Sequence, residues 1–209
     1  VFLQDTTDEQ IASALIAAIE TPDNQDAYRK DLLQYFDVDG SFQVLLMTCE
    51  GLDSMDTVER KKLSYRIQVY LEDITHNGSF FYYNSDFVLV ANALSEEYLC
   101  RLVEGAIKRG KRRMPGLQLC VGIGSRCMDI SRLSVSYQRA KAAAHIAMTQ
   151  KKQVVKFDDC GLFRLLYMVE DKEILKEMET ECLAALEEYG LRNAVLKASE
   201  AVYNRCTKI

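Results

Sequence analysis

Few residues in this chain are of types and spacings that could do chemistry. Val121-Gly122-Ile123-Gly124-Ser125-Arg126 follows a run of strand character and precedes a helical one, the setting in which glycine-loop N–H groups cradle phosphate. The run lacks the third glycine and the Lys-Ser/Thr ending of a P-loop. Close packing or a tight turn is therefore the stronger account of its glycines, with an anion or effector contact through Gly122, Gly124, Ser125 and Arg126 as the functional alternative. Lys108-Arg109-Gly110-Lys111-Arg112-Arg113 sets five cations within six residues. A phosphate-contacting patch would look like this. No aromatic residue is interleaved for base stacking, and such a run at a helix end ordinarily faces water and complements the negative end of the helix dipole. Neither His76 nor His145 has a motif around it, so no nucleophile and base can be paired. His145, among the alanines between Ala140 and Ala147, reads as a packed or boundary histidine.

The seven cysteines, Cys49, Cys100, Cys120, Cys127, Cys160, Cys182 and Cys206, are odd in number and form no C-x-x-C pair. They read as reduced, mostly buried thiols of a cytoplasmic protein. A metal site needs ligands at short spacing, which is missing, so no metal or cofactor is expected. The balance of 26 Lys+Arg against 31 Asp+Glu, net charge -5, argues against a general affinity for nucleic acid. The longest uncharged apolar runs, Ile11 to Ile19 and Phe42 to Cys49, are far shorter than the roughly 20 residues of a membrane span. Neither a membrane segment nor a signal peptide is expected. With 209 residues, 48% hydrophobic and 27% charged, the chain suits one large globular domain or two small ones. It opens at Val1 and reads as a segment of a longer polypeptide.

The elements that must position these residues follow from periodicity. Ile11, Ala12, Leu15, Ile16 and Ile19 predict a helix over residues 8–20, with Thr7 as its cap. Thr21-Pro22-Asp23-Asn24 breaks it, and a second short helix is expected through Ala27, Tyr28, Leu32, Leu33 and Phe36. Phe42 to Met47 reads as a buried central strand. A helix over residues 56–74 follows, then strands Ser79–Tyr83 and Phe87–Ala91 around an Asn84-Ser85-Asp86 hairpin turn. Ser95 caps a helix to about Arg109, Pro115-Gly116 turns, and Leu117–Ile123 is a strand. Residues 131–150 make a helix led in by Asp129-Ile130-Ser131, Val154–Phe157 is the last strand, and residues 162–209 read as helices broken near Tyr189-Gly190. The order β, α, ββ, α, β, α, β gives an α+β sandwich of split β-α-β units.

Val121-Gly122-Ile123-Gly124-Ser125, then Leu133, Ser136-Tyr137, Ala140 and Ala143, then Val154 to Asp159 and Cys160-Gly161-Leu162, resemble the GGDEF-like domain of PucR/CdaR-type transcriptional regulators. The resemblance covers about residues 8–170. It implies a ferredoxin-like, nucleotide-cyclase-like fold that has lost nucleotide chemistry. A working diguanylate cyclase holds two divalent ions through one carboxylate at the end of its first strand and another in the hairpin motif. Here the strand end is Met47-Thr48-Cys49, with no carboxylate until Glu50, and Asn84-Ser85-Asp86-Phe87-Val88 stands in place of the hairpin motif. Thr48, Glu50, Asn84, Ser85 and Asp86 are thus degenerate former metal and nucleotide positions, of which only Asp86 matches a ligand.

The expectation is three segments: a helical leader at 1–40, a GGDEF-like domain at 41–161, and a C-terminal helical segment at 162–209 leading to or grading into a helix-turn-helix. The resemblance implies a non-catalytic, homodimeric regulatory domain that answers a small-molecule effector. DNA would be read by a C-terminal domain absent or incomplete here, since Tyr203-Asn204-Arg205 lacks the His-Arg-Asn run of that reader. The alternative is a nucleotide-binding or diguanylate-cyclase-type enzyme with an atypical site.

Overall fold

The strand at the centre is set by an unbroken apolar stretch. β1 (Phe42–Cys49) is buried along its length except at half-buried Thr48, because it is hydrogen-bonded on both edges and covered on both faces. The computed structural model describes residues 2–49, 54–70, 78–113 and 118–161, together with residues 164, 173 and 180. Two compact units divide the chain, residues 1–160 and 161–209. The end of the helix expected to reach Ile74, the Pro115-Gly116 turn, Glu50, His76 and almost all of residues 162–209 lie outside the described residues.

In the first unit the elements are α1 (Phe2–Glu20), α2 (Arg29–Leu32), β1, α3 (Thr57–Tyr70), β2 (Gly78–Tyr83), β3 (Asp86–Asn92), α4 (Glu96–Arg113), β4 (Leu119–Ile123), α5 (Leu133–Thr149) and β5 (Val154–Lys156). The sheet order is β2-β3-β1-β4-β5, antiparallel except for the parallel β4–β5 pair. β3 lies between β1 and β2, and β1 between β3 and β4, so the chain makes two interlocked split β-α-β units. That is the ferredoxin-like, nucleotide-cyclase-like α+β arrangement, with α1 and α2 before it and α5 and β5 after it.

Strand alternation sorts the core into two layers. Phe42, Val44 and Leu46 face α1, α2 and α5, packing with Leu15, Ala18, Tyr28, Leu32, Tyr137 and Ala140. Leu45, Met47 and Cys49 face α3 and α4, packing with Leu63, Ile67, Leu99 and Val103. Leu45 and Leu46 have almost no solvent exposure, so truncating either to Ala costs about 2–5 kcal/mol. The leader helices share the first of these layers and so belong to the same core as the sheet.

Local differences from the expected elements have simple causes. α1 begins at Phe2, with Thr7 inside it, since no Gly or Pro interrupts residues 2–8. The second helix is a 3₁₀ turn, Gln25–Ala27, and a single α-helical turn, Arg29–Leu32, enough to bury Tyr28 and Leu32. α4 continues through the basic run to Arg113. The hairpin turn is Asn84-Ser85 alone, both left-handed at φ 47 and 69, and Asp86 already belongs to β3 opposite Tyr83. Two positive φ values define the primed turn that matches the twist of a hairpin. Phe157 leaves β5 for a 3₁₀ turn, Phe157–Cys160.

Candidate functional site

The topology gathers the C-terminus of β1, the N-terminus of β4 and the β2–β3 turn at one end of the sheet. Thr48 stands opposite Cys120, and Cys49 opposite Leu119. Cys49 is buried; desolvation first, then the neighbouring Cys120 and Asp86, push its thiol up to about 11. At neutral pH it is an uncharged S–H group. Burial likewise raises the Cys120 thiol. Asn84 and Ser85 are exposed at the turn, and Asp86 is half-buried beside them.

Paired hard cations such as Mg²⁺ need several oxygen ligands, mostly carboxylates. The described residues at this end offer one carboxylate, a threonine hydroxyl and a protonated thiol, a donor set that does not fit such a pair. Among the described residues no group of three or more His, Cys, Asp or Glu side chains could hold a metal ion.

The same end is tied to the leader. Tyr83 Oη donates to Glu20 Oε1 at 2.8 Å, and its ring packs on Tyr137 with centroids 5.6 Å apart. Burial, reinforced by Glu20, pushes the Tyr83 hydroxyl up to about 12. No pattern in the sequence marked this pair, because its partners are 63 residues apart.

The glycine run sits on β4 and just beyond it. A Cβ on Gly122 would lie 2.1 Å from Ala144 N and 2.2 Å from Ala140 O; one on Gly124 would lie 2.1 Å from Ser136 O. The backbone of α5 therefore occupies the space these glycines leave, and Gly124 N is already bonded to Val44 O at 2.9 Å. Ser136, which the sequence offered only as part of a pattern, is buried and its Oγ accepts from Val44 N at 3.0 Å. Ser125 Oγ donates to Asp158 Oδ1 at 2.7 Å, and the Arg126 guanidinium donates to the Leu94 carbonyl. The structure thus brings the four residues of the anion reading together, with Gly124 N, Ser125 Oγ and one nitrogen of the exposed Arg126 guanidinium each bonded within the chain. Asp129 Oδ1 caps the lead-in to α5 by accepting from Ser131 N at 2.8 Å, and this bond holds its carboxyl below the usual range.

Elsewhere, Lys108, Lys111 and Arg112 are exposed on α4. His145 is half-buried in α5, and desolvation holds its imidazole below the usual range. Cys49, Cys100, Cys120 and Cys127 carry free thiols, while Cys182 and Cys206 lie outside the described residues. A cleft of about 340 Å³ opens between α1 and α2, lined by Ile11, Ala14, Ala17, Asp31, Gln34 and Tyr35 among others. Among the described residues no helix is long and apolar enough to cross a membrane.

Sheet order and paired split units define the class, a nucleotide-cyclase-like α+β domain. The model of the GGDEF-like domain family matches residues 21–146, more than half of the chain, and the chain belongs to that family. Solved structures similar to it include the GGDEF domain of DgcB from Caulobacter crescentus in complex with c-di-GMP. That match has a TM-score of 0.49 and 8% identity over 65% of this chain and 91% of that one. A microbial GGDEF domain described for its interaction with bis-(3,5)-cyclic di-GMP gives a TM-score of 0.41 and 14% identity over 71% and 86%. The S helix-GGDEF-EAL portion of Vibrio cholerae LapD, bound to c-di-GMP, gives 0.42 and 13% over 71% and 36%. No curated protein matches the chain.

Proposed function

We propose that this chain is a non-catalytic regulatory domain of a PucR/CdaR-type bacterial transcription regulator, cytoplasmic and homodimeric, that passes a signal to a DNA-binding helix-turn-helix. The observation that carries the reading is the end of β1. A half-buried threonine and a buried, protonated Cys49 stand where a cyclase needs carboxylate to hold a cation, and an Asn-Ser turn stands where glycines would let backbone approach phosphate. Such an end keeps the shape of a nucleotide site and little of its charge. Signalling then rests on two packings of the helices for which an effector has different affinity. The cleft between α1 and α2 offers room for a small effector, and the Glu20–Tyr83 bond joins α1 to the hairpin. Residues 162–209 would lead to the DNA reader.

The alternative, a nucleotide-binding or cyclase-type enzyme with an atypical site, draws on Asp86, which keeps a carboxylate at the turn. Incubation with GTP and Mg²⁺, read by chromatography for cyclic dinucleotide and by calorimetry for binding, separates the two. The expected result is no product and at most weak binding; turnover overturns the proposal.

A further inference from the structure

Among the described residues the sheet has two edges, and the sequence treats them differently. β5 is three residues long, carries Lys156, and is covered at its end by the salt bridge from Lys156 Nζ to Glu96 Oε1 at 3.0 Å. β2, Gly78-Ser79-Phe80-Phe81-Tyr82-Tyr83, is six residues long with no charge and no proline, and it pairs with β3 one-to-one without a bulge. Lysine, proline, bulges and short length are the means by which edge strands avoid pairing with other chains, and β2 has none of them.

Its open side can be read from the register. In an antiparallel ladder, bonded and unbonded pairs alternate, and a two-residue turn closes on a bonded pair, here Tyr83 with Asp86. Ser79, Phe81 and Tyr83 therefore direct their backbone groups to β3, and Gly78, Phe80 and Tyr82 direct theirs outward. The parity holds across the sheet: Gly124 N and Cys127 N donate to the carbonyls of Val44 and Phe42 on one side of β1, and Ala93 N to that of Ser41 on the other. Among the described residues no hydrogen bond reaches the outward backbone groups of Phe80 or Tyr82.

We infer that β2 is the contact through which two copies of this chain pair, antiparallel and about a twofold axis at Phe80; this rests on the homodimer reading above. The occupant is a second copy because the strand is complementary to itself. With Phe80 facing the partner's Phe80, Gly78 faces the partner's Tyr82, and Ser79 the partner's Phe81. An aromatic side chain then lies over the bare backbone of a glycine on the neighbouring strand, twice by symmetry, a cross-strand arrangement that stabilises glycine in sheets. Each facing pair with outward groups exchanges two hydrogen bonds. β2 itself carries no charge, and the cation beside it is Arg60 of α3, whose guanidinium lies 4.4 Å from the centre of the Tyr82 ring.

The test uses the whole 209-residue chain. Sedimentation velocity over a concentration series gives the association constant, and hydrogen exchange with fragment analysis reads the amides of residues 78–83. The expected result is a dimer whose amides at Phe80 and Tyr82 exchange at least about tenfold more slowly at high concentration than at low, with Ser79→Lys weakening association about tenfold or more. Circular dichroism checks that Ser79→Lys is folded, and the exchange measurement on the unaltered chain stands without it. A dimer whose β2 amides exchange equally fast at all concentrations overturns this contact and leaves the homodimer reading intact. A monomer at every concentration overturns both.

Discussion

Gly122→Ala tests whether the glycine run is a packing device or a ligand cradle. The added methyl would lie 2.1 Å from Ala144 N and 2.2 Å from Ala140 O, where ordinary contact begins near 3.4 Å. Both atoms are helix backbone, so no rotamer change relieves the clash, and α5 must retreat by about 1 Å from a close-packed layer. Overpacking of this kind costs about 1–3 kcal/mol, and rigid backbone neighbours put it at the top of that range. Removing a glycine from the unfolded chain returns about 0.4–1 kcal/mol, leaving a net loss of about 2–3 kcal/mol. For a chain of this size that lowers Tm by about 5–10 °C. Thermal and urea denaturation followed by far-UV circular dichroism, without any ligand present, is the assay. Gly124→Ala, which would clash with Ser136 O, should behave alike. An unchanged or raised Tm in both variants would refute the packing argument, because glycines that serve only a ligand can be replaced in the free protein without loss of stability.

Two further outcomes follow from particular residues. Ser85 sits at φ 69, a left-handed conformation costing a side-chain-bearing residue roughly 1–2 kcal/mol, so Ser85→Gly should raise Tm by about 1–3 °C after glycine's extra unfolded freedom is deducted; a scanning melt measures it. Cys49 and Cys127 both have thiols pushed from 9.0 up to about 11, chiefly by burial. The folded chain keeps protons that the unfolded chain has lost between those values, so this contribution is complete below pH 9 and disappears as pH rises through about 11. Urea titrations at stepped alkaline pH should show the midpoint falling over that window, and a flat midpoint would count against buried, neutral thiols.

Much of this architecture can be read from local pattern. The aromatic and β-branched runs of β2 and β3, the turn signal between them and the alanine face of α5 all announce themselves, since each depends on neighbours within a few residues. The Gly122/Gly124 and Ser136-x-x-x-Ala140-x-x-x-Ala144 spacings are two halves of one contact, strand glycines against a narrow helix surface, and either half alone is ambiguous. The extent of α1 escaped because weak signals such as Thr7 resemble a cap wherever they fall, and no strong breaker contradicts the longer helix. Asp86 reads as a turn residue because aspartate favours turns, and its pairing with Tyr83 across the ladder makes it the first residue of β3 instead. Strand order, the merging of α1 into the core and the Tyr83–Glu20 bond come from long-range packing, which local periodicity does not encode.

That last bond gives α1 a mechanical character. Nineteen helical residues make a rod of about 28 Å. Its final residue, Glu20, is pinned to Tyr83, one residue from the hairpin bend. The helix is also seated on the sheet by Leu15, Ala18 and Ile19, so the bond adds a polar tie at the end of a packed face. A change in how α1 seats on the sheet would load that phenol–carboxylate pair, one residue from the bend.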